Sequence, residues 1–180
     1  MVFAFCSLLL ALNAEQLTAP ELGRKAPDYP VTAPGGNQIR LSEALNGAKL
    51  FLVFFDAREA PQDLPKIDRI TTSRGAPKGI AAVLVDGDRV VRRIFRSGSD
   101  IAAGLESWEI GRQIYDSQCA RCHGADGADT SYPNTKPLAG LGRKHSEEKI
   151  VELTEATGVV DMSRLSEADR RGLGAYVAGL

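Results

Sequence analysis

The stretch Cys119-Ala120-Arg121-Cys122-His123 constrains this chain more than any other. Two thiols spaced by two residues can add to the two vinyl groups of one haem, forming two thioethers. The histidine that follows then lies beneath the porphyrin, where its imidazole can ligate the iron. The chain has only three cysteines and two histidines, and two of those cysteines and one histidine fall in these five residues. Two other chemistries use a Cys-x-x-Cys pair. Zinc would need two more ligands, and only Cys6, His145 and carboxylates are left to supply them. A thioredoxin-type dithiol is the third reading.

Composition narrows the setting. Hydrophobic residues make up 43% of the 180 and charged residues 25%, the balance of a soluble globular protein of one ordinary domain or two small ones. A net charge of −1 gives no bulk attraction for nucleic acid or an anionic membrane. The charge is unevenly spread: from Leu105 onward nine Lys/Arg face twelve Asp/Glu, whereas the first 104 residues carry a net +2. Such an acidic half beside a mildly basic one can steer a redox partner, weakly and subject to salt.

The N-terminus is apolar from Met1 to Leu12, then turns to Asn13, Ala14, Glu15 and Gln16. That run is too short to span a bilayer as a helix. It fits the apolar core of a secretory signal over residues 1–14, with Ala14 before the cut, although a basic n-region is missing. An uncleaved anchor or a buried N-terminal element are the alternatives. Covalent haem attachment points independently to export, since bacterial c-type cytochromes mature outside the cytoplasm. Cleavage would remove Cys6 and leave only the two haem cysteines.

Upstream of the pentapeptide, Trp108, Gly111 and Tyr115 fall at helical spacing beside Ile110 and Ile114. They predict a helix leading directly into it. A glycine-rich loop follows over residues 124–129, and a turn over residues 136–141. Ser146 is a good N-cap for a second helix carrying Ile150, Val151 and Leu153. Ser166 caps a terminal helix, whose Glu167 and Asp169 favour its positive end and whose apolar stripe is Leu173, Tyr176 and Val177.

Gly111, Tyr115, Cys119, Cys122, His123, Gly124, Gly127, Pro137, Leu138, Gly140, Met162, Leu165 and Tyr176 follow one another in a pattern that resembles the class I c-type cytochromes, over residues 105–180. The resemblance implies an all-α domain in which Gly111 and Tyr115 meet Leu173 and Tyr176 where the first and last helices cross. It implies haem c held covalently by Cys119 and Cys122, with His123 as proximal ligand of the iron. It also implies that the carbonyl of Pro137 accepts a hydrogen bond from that imidazole. Met162 is the only methionine beyond the initiator and stands where the family places its distal thioether, although Ser163 follows it where the family often has proline. Core filler is the other reading of Met162. His145 is the rival ligand, and a solvent-exposed histidine is its plainer reading.

The first half has a different texture. Residues 50–55 form a fully apolar run suited to a central strand. Two more strand-like runs, 80–85 and 90–95, are joined through Asp86-Gly87-Asp88, a hairpin signal. Residues 63–70 read as a helix, with Pro65 in its first turn. Strand, helix and hairpin predict an α/β sandwich. The residues 23–29, then 40–47, then the apolar strand resemble the thioredoxin-like fold, nearest to its redoxin and peroxiredoxin branch. Where that family has a nucleophilic cysteine, this chain has Asp56-Ala57-Arg58-Glu59-Ala60-Pro61-Gln62. Without a thiolate there is no thiol–disulfide exchange, and Glu59 and Gln62 read as polar surface. Ile80 occupies the place of the family's cis-proline. Gly35-Gly36-Asn37 reads as a turn, not a phosphate loop. Arg89, Arg92, Arg93 and Arg96 read as a solvated face, or as a docking patch for an acidic partner.

The expected architecture is therefore α+β in two domains: a thioredoxin-like α/β domain at 22–100 without redox cysteines, then an all-α cytochrome c domain at 105–180. The expected function is one-electron transfer by a mono-haem c-type cytochrome, its iron cycling between Fe(II) and Fe(III), exported to the periplasm and meeting redox partner proteins. The alternative is a haem-containing oxidoreductase subunit or haem peroxidase in which the first domain docks a partner. No catalytic residue, nucleic acid or small-molecule substrate is evident. Membrane association is expected only if the N-terminal segment stays uncleaved.

Overall fold

The computed structural model describes residues 17–33, 35–45, 50–55, 68–72 and 76–180, with the backbone alone for 68–72. The N-terminal segment with Cys6, and the stretch from Asp56 to Gln62, lie outside the described residues.

Among the described residues six strands make one sheet: β1 (Pro30–Thr32), β2 (Gln38–Arg40), β3 (Leu50–Phe54), β4 (Asp68–Thr72), β5 (Ala82–Asp86) and β6 (Val91–Phe95). They lie in the order β2-β1-β4-β3-β5-β6. The apolar run at 50–55 takes an inner place because both of its faces are covered. Leu52 and Phe54 join Ala82, Leu84 and Phe95 on one face. Phe51, Val53 and Phe55 join Val83, Val85, Val91, Tyr29 and Leu41 on the other.

The expected hairpin forms. β5 and β6 pair antiparallel, with a register shift between Leu84 and Val85. Its turn is built on Asp86, whose carboxylate accepts from the N–H groups of Asp88 at 3.0 Å and Val90 at 2.8 Å. Arg89 takes a positive φ of 67° there.

The helix expected at 63–70 does not hold in its described part. Asp68, Arg69 and Ile70 belong to β4, which pairs parallel with β3 from Phe51↔Asp68 to Phe54↔Thr71. Ile70-Thr71-Thr72 is a β-branched run that favours extended backbone, and a vacant edge of β3 satisfies its hydrogen bonds. Residues 63–67 lie outside the described residues.

After a short helix α1 (Leu41–Ala44) and the sheet, the chain becomes helical: α2 (Ile101–Gln118), α3 (Ala120–His123), α4 (Glu147–Thr157) and α5 (Glu167–Ala178). Both expected caps are in place. Ser146 accepts from Lys149 N–H, and Ser166 forms a reciprocal capping box with Asp169.

The sheet and the helices share one core. Ile101, Leu105, Trp108, Leu173, Tyr176 and Val177 bury against the same apolar cluster as Leu52, Phe54, Leu84 and Phe95. Polar contacts stitch the seam. Arg92 is half-buried between Asp86, 2.7 Å away, and the carbonyl of Gly179, which accepts at 2.7 Å. Arg93 pairs with Glu147 on α4 at 3.3 Å. Arg89 pairs with Asp28 at 3.0 Å. Three of the four arginines read as a solvated or docking face are thus engaged in ion pairs: Arg92 and Arg93 because β6 runs along the seam, and Arg89, in the turn before it, with Asp28 in the first half of the chain.

Candidate functional site

α2 carries the site to its place. It crosses α5 at Gly111, where a Cβ would run into the carbonyl of Gly172. The crossing matches the expected meeting of Gly111 and Tyr115 with Leu173 and Tyr176, but the residue that faces Gly111 is Gly172. Its smallness and its place on the apolar side of the last helix were the available signal. Close to the crossing, the Tyr115 and Tyr176 rings lie 5.1 Å apart, and Trp108 lies 5.1 Å from Tyr176.

One turn past Tyr115 the pentapeptide begins. Cys119 closes α2 with its N–H on the Tyr115 carbonyl at 2.8 Å. Its own carbonyl then accepts from Cys122 and His123 N–H, both at 3.0 Å, and sets up α3. Both thiols are free; Cys119 is buried and Cys122 half-buried. Burial pushes the Cys119 thiol up to about 11, with the neighbouring Cys122 adding to it.

His123 ends α3. Its carbonyl accepts from Asp129 N–H at 2.9 Å, which folds the following loop back onto it. The exposed Asp129 carboxyl is held below its ordinary value chiefly by hydrogen bonds from Ser131, with a smaller contribution from His123. The imidazole Nδ1 is buried without a hydrogen-bond partner. The bond from this imidazole to the Pro137 carbonyl is thus not made. Pro137 is exposed, and the residues after it are anchored elsewhere: Leu138 and Ala139 donate to the carbonyl of Gly127 at 2.7 and 3.0 Å.

Met162 is 2% exposed and lies in the same buried cluster as Cys119, Ile150 and Tyr176. Asp161, just before it, caps a short 3-10 turn by accepting from Ser163 N–H. His145 is half-buried, its N–H on the Leu141 carbonyl at 2.9 Å.

The donors fit a haem. Two free thiols lie within one helical turn, a histidine follows them directly, and a thioether is held in the same core as Cys119. A closed metal cage does not fit: no group of three His, Cys, Asp or Glu side chains able to hold a metal ion occurs among the described residues. Residues 106–177 match the family model of cytochrome C oxidase, cbb3-type, subunit III. This match supports a c-type cytochrome domain at the C-terminal end of the chain. A cytochrome c domain implies haem c with its iron, haem-based electron transfer, and redox partner proteins. No curated protein and no solved structure matches the chain. The family match begins inside α2, whose first turns pack on the sheet. Among the described residues no helix is long and apolar enough to cross a membrane.

Proposed function

We propose that the protein is an exported one-electron carrier in which Cys119 and Cys122 tether a single haem c, His123 is its proximal ligand and Met162 its distal ligand. The observation that carries this is the burial of Met162 in the core that also holds Cys119. Haem c supplies the Fe(II)/Fe(III) couple that holds one electron. The chain supplies the rest. The backbone bonds at Cys119 and Asp129 hold His123 at the end of α3. The apolar surroundings keep water from the thioether, and a sulfur donor favours the ferrous state over a second histidine.

In this reading residues 1–14 are the export signal and residues 22–100 a thioredoxin-like unit without a thiol. What supports the second point is the parallel pair β3/β4 followed by an antiparallel hairpin on the other side of β3. No cysteine lies between residues 22 and 100, so the haem is the redox centre of the chain.

A second reading makes the protein a haem-bearing subunit of a larger oxidoreductase. It is favoured by the matched family, which is described as a subunit of an oxidase. Expression with an export and maturation system, followed by a haem stain on a denaturing gel and the absorption spectrum of the reduced protein, tests the shared core of both readings. Absence of covalent haem sinks both. Isolation from membranes as one component of a stable complex selects the second.

A further inference from the structure

The backbone around His123 is held from a side chain on α2. Tyr115 is 0% exposed, and its hydroxyl donates to the carbonyl of Gly124 at 2.7 Å. Gly124 is the residue after His123 and turns the chain out of α3 at φ 73°. Its N–H is held by the Ala120 carbonyl at 2.9 Å. The peptide groups on both sides of His123 are anchored, His123 N–H to Cys119, His123 carbonyl to Asp129 and Gly124 N–H to Ala120, and the next peptide along is pinned through its Gly124 carbonyl by Tyr115. The imidazole has no such anchor at Nδ1. Its direction follows from where the backbone places Cα and Cβ.

From this geometry we infer that Tyr115 is a positioning residue for His123: its hydroxyl, by pinning Gly124, sets the plane in which the imidazole is presented. The ring of Tyr115 fills the helix crossing, which any large aromatic could do. The hydroxyl is a separate contribution, because a phenylalanine would pack equally well and leave the Gly124 carbonyl without its donor. Burial pushes the Tyr115 phenol well above its ordinary value, so it remains a neutral donor throughout the physiological range. The inference rests on the haem reading above, and its test separates the two.

The variants are Tyr115→Phe and, as a control, Tyr176→Phe. Tyr176 stands in the same aromatic stack, 5.1 Å from Tyr115, and its hydroxyl is not the one on Gly124. Each is made in the full-length protein with its haem. The readouts are the shifted haem-methyl resonances of the oxidised protein, which report the orientation of the axial ligand planes, and the reduction potential. Tyr115→Phe should bind haem covalently yet reorder or compress the methyl pattern and shift the potential, while Tyr176→Phe leaves both near those of the parent. An unchanged pattern and potential in Tyr115→Phe, or equal changes in both variants, overturns the inference.

If the parent takes up no haem, the haem reading fails, and the anchoring is read in the haem-free chain. There Tyr115→Phe should speed amide hydrogen exchange at Gly124 and Asp129 roughly five- to tenfold relative to Tyr176→Phe. Equal exchange in the two variants overturns it.

Discussion

Gly111 on α2 lies against Gly172 on α5 so closely that a methyl group on Gly111 would collide with the Gly172 carbonyl, and one on Gly172 would come within 3.1 Å of the Gly111 nitrogen. Contact here is backbone on backbone. The helices are thereby drawn near enough for Trp108, Tyr115 and Tyr176 to close the crossing.

Gly111→Ala should therefore destabilise the protein by about 3 kcal/mol or more, since relief requires the two helices to separate. Gly158 is the contrast. It caps α4 at φ 64° with open space where a Cβ would go, so Gly158→Ala should cost only about 1–2 kcal/mol of backbone strain. Urea unfolding of the two variants measures the difference. Equal midpoints would mean that the crossing yields more easily than its geometry implies.

The shared core predicts that sheet and helices unfold together. Phe95 on β6 is 3% exposed and belongs to the cluster that holds Trp108 and Leu173. Phe95→Ala should cost about 3–5 kcal/mol and lower the haem-region and sheet transitions by the same amount. Tryptophan fluorescence, far-ultraviolet dichroism and Soret absorption should coincide in one transition. For the same reason, deleting residues 15–104 should not leave a well-folded cytochrome, because Leu105, Trp108 and Leu173 would lose their cover. A truncated chain with the parent's haem spectrum and melting temperature would contradict this.

Met162→Ala should do two things at once. Loss of a buried methionine costs about 2–5 kcal/mol, and, with Met162 as the proposed distal ligand, its loss should remove the sulfur-to-iron absorption band of the oxidised protein and lower its potential. His145→Ala should leave the band in place, since His145 is a half-buried residue just ahead of α4. A band that survives Met162→Ala and disappears in His145→Ala would reverse the assignment.

The haem-free chain should lose stability in alkali. Folding raises the Cys119 thiol from 9.0 to about 11 by burying it. Between those values the unfolded chain has released a proton that the folded chain retains, so stability falls as pH rises. The contribution is complete below pH 9.0 and lost by about pH 11, about 2–3 kcal/mol in all. Cys119→Ser should flatten this part of the pH profile. At pH 8, iodoacetamide should label half-buried Cys122 ahead of Cys119. Faster labelling of Cys119 would show that its thiol is not held in the core.

Much of the helical half could be read from local pattern. Ser146 and Ser166 cap their helices, the pentapeptide follows directly on a helix, and Met162 stands in a short turn just before the last one. These features depend on neighbours within a few residues, where spacing and capping chemistry act directly. The hairpin through Asp86-Gly87 was legible for the same reason. β4 was not. Its residues extend because an edge of β3 was available to pair with, and a partner distant in sequence leaves no local trace.

The seam between sheet and helices belongs to the same class. Arg92 and Arg93 look like surface residues in the sequence, and only the folded chain shows that they meet Gly179 and Glu147, 87 and 54 residues away. The hydroxyl of Tyr115 on Gly124, and the unpaired Nδ1 of His123, likewise emerge only when the turn after the pentapeptide closes. Residue types and short spacings were enough to propose the haem-binding donors, because the candidates fall in five consecutive residues and one methionine. How those donors are held was decided by contacts between distant segments, where packing of backbone against backbone and the capture of buried carbonyls select one arrangement from many.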